Sequence, residues 1–413
     1  MSFKVLIIGA GTGGLCLAHG LQSRGIDAQV FERDQNAVDR QQGYRLNISA
    51  TGNRALKTCL PEENYARFVA SSAVPSTAVT FFDHHLHRLL GIDIPPVDRD
   101  SLDAERPVSR IALRRLLLDG VESRVIFGKT FVSYESAADG RVLARFADES
   151  VAAGDLLVGA DGANSRVARQ LLPESARIDT GVTVVAGRFS LDEQARRETP
   201  PEILRGPTLV MGPPGCFMFA SAVQYPSEAV TSDREEYVMW GVSTTARHMG
   251  RNGHAAHLDQ DSARELARRL VSTWHPALQR LVERVEPESL SSFPVKSAKP
   301  IGPWKSGKVT LLGDALHNMT PFRGMGANAA LKDAAELVEA LSGVARGERE
   351  LLAALTSYEA EMIRSGFAAV QGSLGDMQRL HSESRVGRFA AKTFFRTVDR
   401  MPRSVQTMFR GRR

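Results

Sequence analysis

Three absences narrow what this chain of 413 residues does. Cysteine is scarce. Cys16, Cys59 and Cys216 are scattered and odd in number, so they form neither a disulfide framework nor a metal spacing, and a reducing, cytoplasmic setting is expected. Long apolar runs are missing too. None approaches the roughly 18 residues of a membrane span, so no stable membrane insertion is expected, and Met1 to Ala10 turns glycine-rich too soon for a signal peptide. Charge of one sign is in little excess. A net +5 over this length gives no reason to expect a nucleic-acid partner. Repeats and low-complexity linkers do not occur. The apolar content is ordinary, enough for two domains or for one cofactor domain with an insertion.

What the chain does have is glycine in ordered frames. An apolar strand, Lys4 to Ile8, runs directly into GAGTGG. Gly9 permits the tight turn, Gly11 lets a diphosphate approach, and Gly14 lets the next helix pack on the strand. Leu15, Leu17, Ala18 and Leu21 open that helix. Ala28 to Phe31 reads as a second strand, and Glu32 follows at the distance where an acid grips a ribose. A βαβ unit for an adenine dinucleotide is expected, with Arg33 beside the acid arguing against a simple NAD site.

A second frame spans Lys308 to Leu341. Val309 to Leu312 is an unbroken apolar run, ended by Gly313-Asp314. Leu331, Ala334, Ala335, Val338 and Leu341 recur at helical spacing from Asn328 onward, with Gly343 as the expected C-terminal stop. Pro321, Gly324 and Gly326 make the loop between, which delivers a helix start and its positive dipole end to something negative. Asp314 beside that donor cluster points to a ligand with hydroxyls on one side and an anion on the other. A third frame, Asp155 to Pro173, runs from strand Leu156 to Gly159 through Ala160-Asp161-Gly162 into a helix with Arg166. There Asp161 either meets a ligand or caps the helix.

The segment GDALHNMTPFRGMGANAALKDAAEL resembles the GDAAHxxxPxxGxGxN segment of the FAD-dependent aromatic hydroxylases, the class A flavin monooxygenases typified by p-hydroxybenzoate hydroxylase and salicylate hydroxylase. Glu32-Arg33 resembles the FAD members at the first frame, and Asp161-Gly162 resembles the family's DG motif. The resemblance reaches to about residue 370. It implies non-covalent FAD held by Gly9, Gly11, Gly14, Glu32, Arg33, Arg110, Asp161, Gly313, Asp314, Gly326, Ala327 and Asn328. In the family the matching aspartate of the second frame holds the FAD ribitol or pyrophosphate, and the arginine before the VSRIALRRLLL helix, here Arg110, touches the cofactor. Arg114 and Arg115 read as a solvated face. The loop with Pro321, Gly324 and Gly326 meets the pyrimidine end of the flavin and supports the chemistry. No catalytic side chain is assigned, because the cofactor carries the reaction. NADPH or NADH is the implied transient donor, and O2 adds at flavin C4a to give a hydroperoxide. That species hydroxylates or epoxidises an aromatic or polycyclic small molecule. Arg45 departs from the pattern, since the family segment beside the isoalloxazine usually carries small or apolar residues.

The expected fold is α/β: a discontinuous Rossmann-like FAD-binding domain (1–72, 101–178 and 298–370), with an inserted, mainly antiparallel sheet for substrate (73–100 and 179–297). A long helix from Glu348 to about Gln378 and a basic helical tail from 371 to 413 complete it. Ala78 to Ile94 reads as a hairpin turning at Asp83-His84-His85. His84, His85 and His87 lack a carboxylate or cysteine at ligand spacing, so no metal site is expected. Strands are expected at 125–135, 142–147, 150–157, 182–189, 208–212, 216–223 and 237–242, then one helix from Ser262 to Trp274 stopped by Pro276. Arg45, Phe217, Phe219, Met239 and Pro321 are candidates for the substrate pocket, with Met218 and Trp240 among the other large apolar residues there. The tail, with Phe389, Phe394, Phe395 and Met408 among arginines, reads as a final helix packed on its own protein, the alternative being a basic arm for a membrane or nucleic acid. Two rival functions remain open: a Baeyer-Villiger-type or other oxidoreductase of the same fold, and a flavin-bound protein that sequesters a ligand without turnover. A halogenase of this fold carries a WxWxIP segment, which Trp240, Trp274 and Trp304 do not supply.

Overall fold

Strand Leu156–Gly159 is buried at every residue and Lys4–Ile8 at all but the first, as strands covered on both faces are. They belong to a five-stranded sheet in a computed structural model that describes residues 3–36, 45–226, 235–249 and 258–401. The sheet runs Val309–Leu311, Leu156–Gly159, Lys4–Ile8, Asp27–Phe31, Val125–Ile126, and every pairing is parallel. Because the strands are parallel, their carboxyl ends share one edge. Glu32, Asp161 and Asp314 each follow such an end by one to three residues. Gly43 and Tyr44, ahead of Arg45, and the tail beyond Met401, with Met408, lie outside the described residues.

This sheet belongs to a unit of residues 1–72, 98–178 and 296–374. Helices Thr12–Ser23, Gly326–Ala345 and Leu351–Leu380 supply apolar faces to its core, among them Leu15, Leu21, Leu331, Leu337, Leu341 and Met362. Two expected long strands are broken by the geometry. The 125–135 stretch splits into Val125–Ile126 and Phe131–Ser136, and the 150–157 stretch into Val151–Gly154 and Leu156–Gly159. In each case the two pieces join different sheets: Phe131–Ser136 and Val151–Gly154 flank Val142–Phe146 in a three-stranded antiparallel meander, while Val125–Ile126 and Leu156–Gly159 stay in the parallel sheet. Hydropathy does not register where a strand changes sheet.

Gly343 does not stop its helix. The helix continues to Ala345, and Gly347 at φ +73° takes the left-handed C-terminal position instead, with Glu348 N–H donating to Gly343 O at 2.9 Å. The order of the two glycines relative to the last buried turn decided this. Gly343 sits buried in the helix, where absence of a side chain is tolerated.

The second unit comprises residues 73–97, 179–295 and 375–413. Its seven-stranded sheet runs Ser291–Ala298, Arg177–Ser190, Tyr237–Thr245, Cys216–Val223, Thr208–Met211, Ala78–Asp83, Arg88–Asp93. Among the described pairings only Thr208–Met211 with Ala78–Asp83 is parallel. One sheet face carries Met218, Ala220, Val238, Trp240 and Val242, covered by helices Gln260–Val271 and Pro276–Glu283. Pro276 therefore opens a helix rather than closing one. It stands at the first helical position, where its missing N–H costs nothing, and His275 Nδ1 accepts from Ala277 N–H. Residues 375–413, expected as part of a separate tail, belong to this unit: helix Arg385–Asp399 packs on the hairpin through Phe395 and Phe81, 5.1 Å between ring centroids.

Candidate cofactor site

The first turn is shaped by what its glycines exclude. A side chain on Gly9 would run into Ala160 O, and one on Gly14 into Gly9 O, whereas at Gly11 nothing lies within 4 Å. Gly9 and Gly14 therefore serve packing, and Gly11 leaves open space at the start of helix Thr12–Ser23, which has no side-chain cap. Free N–H groups facing open space suit an anion. Glu32 closes the turn. Its buried carboxylate accepts from Ala10 N–H at 2.7 Å and Asp34 N–H at 3.0 Å. Arg33 is exposed at its guanidinium, 3.9 Å from Asp34. Arg114, read from sequence as solvated, is only 15% exposed and pairs with Asp34 at 3.3 Å. Helical spacing alone does not reveal a partner 80 residues away.

At the second strand end, Asp161 Oδ2 accepts from Arg166 N–H at 2.7 Å and Val167 N–H at 3.4 Å. Asp161 does cap the helix. Its other oxygen, Oδ1, is buried with no partner, and burial pushes the carboxyl pKa up against the pull of Ser165 and these N–H groups. An orphaned acceptor of this kind is suited to a ligand hydroxyl.

At the third strand end, burial raises Asp314 as well, opposed by His317, Arg110, Asn318 and Arg177. Arg110, exposed at the start of helix Arg110–Leu118, is thus within electrostatic reach of Asp314. A side chain on Gly326 would sit 3.6 Å from Asp314 Oδ1, so the acid and the helix start at Gly326-Ala327-Asn328 adjoin, and that start carries no side-chain cap. A cavity of about 270 Å³ opens at Asp314, with Asn164, Arg169, Arg177, Lys296 and Lys299 in its walls.

Sequence reasoning missed the pair that holds this loop. His317 Nε2 lies 2.6 Å from Asp333 Oδ2, which also accepts from Gly313 N–H at 2.9 Å, and both side chains are buried. Burial alone would lower the His317 pKa, but Asp333 outweighs it and the pKa is raised. The signal was present: Asp333 is a carboxylate in the apolar stripe between Leu331 and Ala334. Thr320 is fastened too, its Oγ1 2.6 Å from Ser373 Oγ, which donates to Thr320 O. From there Pro321–Arg323 forms one tight turn and Gly324 takes a left-handed conformation at φ +62°.

Asn328 is committed to backbone. Its Oδ1 accepts from Ser49 N–H at 2.8 Å and its Nδ2 donates to Asn47 O at 2.9 Å, tying the helix start to strand Arg45–Ile48. Arg45 stands opposite Ser109 in the two-stranded ribbon, beside Arg110. Phe217, Phe219 and Met239 share the sheet face opposite Met218 and Trp240. Phe217 is buried with its ring edge toward His381, centroids 6.0 Å apart, while Phe219 and Met239 are half-buried. His84 and His85 lie 4.0 Å apart between rings and Asp83 reaches His87 at 3.3 Å, but no group of three potential metal ligands forms among the described residues.

Open space at Gly11, an unpaired buried oxygen at Asp161 and a polar cavity at Asp314 suit a long ligand with a diphosphate and hydroxyls. The family model for an FAD binding domain matches residues 2–50 and 123–373. This chain belongs to the FAD-dependent monooxygenases. Within that family it is 32% identical, over 89% of its length, to the dual O-methyltransferase/FAD-dependent monooxygenase of Phaeosphaeria nodorum, of which it spans 45%. The chain thus covers less than half of this relative. It is 28% identical to the FAD-dependent urate hydroxylase of Klebsiella pneumoniae, covering 87% of this chain and 85% of that protein. Among solved structures, a protein of Photorhabdus luminescens described as an FAD-containing monooxygenase superposes with TM-score 0.82 at 33% identity, covering 92% of this chain and 98% of that one. Klebsiella pneumoniae HpxO, solved with FAD and uric acid, superposes with TM-score 0.79 at 26% identity, covering 96% and 93%. Among the described residues no helix is long and apolar enough to cross a membrane.

Proposed function

We propose that this monooxygenase consumes NADPH or NADH and O2 to hydroxylate or epoxidise an aromatic or polycyclic small molecule. The observation that carries the reading is the adjacency of Asp314 to the uncapped helix start at Gly326. An acceptor for a polyol chain stands there beside N–H groups suited to an electron-rich ring. Bound FAD supplies the redox chemistry, taking a hydride equivalent from the donor and activating O2 for transfer of one oxygen atom.

The chain's own residues bind and orient. The N–H groups at Gly11–Gly13 hold a diphosphate. Glu32 accepts from ribose hydroxyls, and Asp161 Oδ1 and Asp314 accept from further hydroxyls. The helix start at Gly326 stabilises negative charge on the reduced ring. No second GxGxxG occurs in the sequence, so the donor has no nucleotide fold of its own and docks transiently. The apolar face with Phe217, Phe219 and Met239 is the surface we assign to a ring substrate, and a relative named for urate, itself a ring, supports that class.

Donor oxidation is expected to be slow alone and faster with the proper ring compound. Stopped-flow reduction with and without a panel of phenolic and polycyclic compounds, together with peroxide release, tests this. Equal reduction rates across the panel would remove substrate gating and with it the hydroxylase reading.

A further inference from the structure

The helix Arg385–Asp399 has two dissimilar faces. One is built into its own unit. Besides the Phe395–Phe81 contact, Asp399 accepts from Arg88 at 3.0 Å and from Gly91 N–H at 2.8 Å, and the buried Arg388 donates to Gly212 O. The opposite face is turned outward. Val386 is 80% exposed, Phe389 73% and Phe394 52%, at positions that fall on one helical side with Ala390 and Thr393 between them. Large apolar side chains gathered on one exposed stripe mark a contact surface.

Charge identifies the partner. Arg385, Arg396 and Arg400, all exposed, run along one flank of the stripe, and Arg396 also reaches Asp83 at 3.4 Å. From Arg385 to Arg413 the sequence has nine Lys and Arg against the single carboxylate Asp399, a surplus larger than the +5 of the entire chain. The rest of the protein is therefore net acidic, and the positive charge is concentrated where the apolar stripe lies.

We propose that the outer face of this helix rests on an anionic lipid bilayer, with Val386, Phe389 and Phe394 in the headgroup–acyl boundary and Arg385, Arg396 and Arg400 on lipid anions. At 15 residues the helix lies on such a surface and does not cross it. A second copy of the chain fits less well. The stripe exposes on the order of 400 Å², about half of one partner's share in a standard interface, and a copy would bring the same arginines with no carboxylate to meet them. Nucleic acid would use the arginines and the rings of Phe389 and Phe394, but it would leave Val386, the most exposed of the three, without an apolar partner.

The test is co-sedimentation of the FAD-loaded full chain with vesicles of phosphatidylcholine alone or mixed with phosphatidylglycerol. Retention is expected on the mixed vesicles only, weakening as salt rises. Phe389→Glu should reduce it roughly tenfold or more, the effect of withdrawing one buried aromatic ring, with flavin absorbance and circular dichroism unchanged. Arg385→Glu should reduce it as well. Equal retention on both vesicle types, or full retention of Phe389→Glu, overturns the proposal. So does a parent protein that ignores vesicles but self-associates in ultracentrifugation through Phe389, or one that retains RNA regardless of Phe389→Glu.

Discussion

Glu32 serves the turn besides its proposed contact with a ribose, because its two oxygens already accept from Ala10 and Asp34 N–H groups. Removing them leaves the buried Ala10 N–H unpaired, at about 1–3 kcal/mol, and turns the half-buried Asp34 N–H to water. Glu32→Ala should therefore weaken FAD binding by roughly tenfold or more and also lower the urea midpoint, whereas the ribose role alone would leave the fold untouched. A titration showing unchanged FAD affinity would count against the ribose contact. His317 gives a pH signature. Its folded pKa is raised above the ordinary histidine value of about 6.5 by Asp333, against burial. A raised pKa stabilises fully below the unfolded value, and the contribution is lost as pH rises through the folded one. The stability lost in Asp333→Asn should thus be larger on the acid side of the histidine range and shrink above it. Denaturant melts across that range check this, and a loss independent of pH would mean that the pair is not charged. Neither residue stood out in the motif, because the motif matters at its surface and this pair works beneath it.

The loop before helix Gly326–Ala345 is held at one end and hinged at the other. Thr320 is clamped by Ser373, and Gly324 is left-handed with nothing within 4 Å of a would-be side chain. The cost of a substitution there is backbone strain, roughly 1–3 kcal/mol, and not a clash. Gly324→Val is expected to lower coupled oxygenation more than FAD affinity, read as peroxide released per donor consumed against a flavin titration. A parallel fall in both would mean that the loop merely holds the cofactor. Gly366→Ala makes the contrast: its methyl would run into the His317 ring, so it should destabilise by about 1–3 kcal/mol. Strand type and helix position in these elements were legible from periodicity. Their ends were not, as Gly343 and Pro276 show, because a glycine or proline acts according to the turn in which it falls.

For the whole molecule the expectation is a yellow protein with one FAD per chain, released by denaturation. Cys16, Cys59 and Cys216 are all free and buried, so none is placed to form a tether. Flavin that remained with the acid-precipitated chain would contradict non-covalent binding, and a colourless protein that takes up no FAD would contradict the cofactor reading itself. Each of the two units has its own apolar core, and the three cofactor motifs all fall in the first.

Local patterns in the sequence by themselves determined the nucleotide-binding turn, the three strand-end motifs and the family. A glycine frame, a buried strand and a helix start are each built from neighbours along the chain, so composition and spacing carry them. Only the tertiary structure decided what those motifs meet. It paired Arg114 with Asp34, set Asp333 beneath His317 and Gly313, and committed Asn328 to the Arg45–Ile48 segment. It also gave the tail helix one packed face and one exposed face. Each of these depends on side chains far apart in sequence arriving at one place, and hydrophobic periodicity states which face is apolar without stating what covers it.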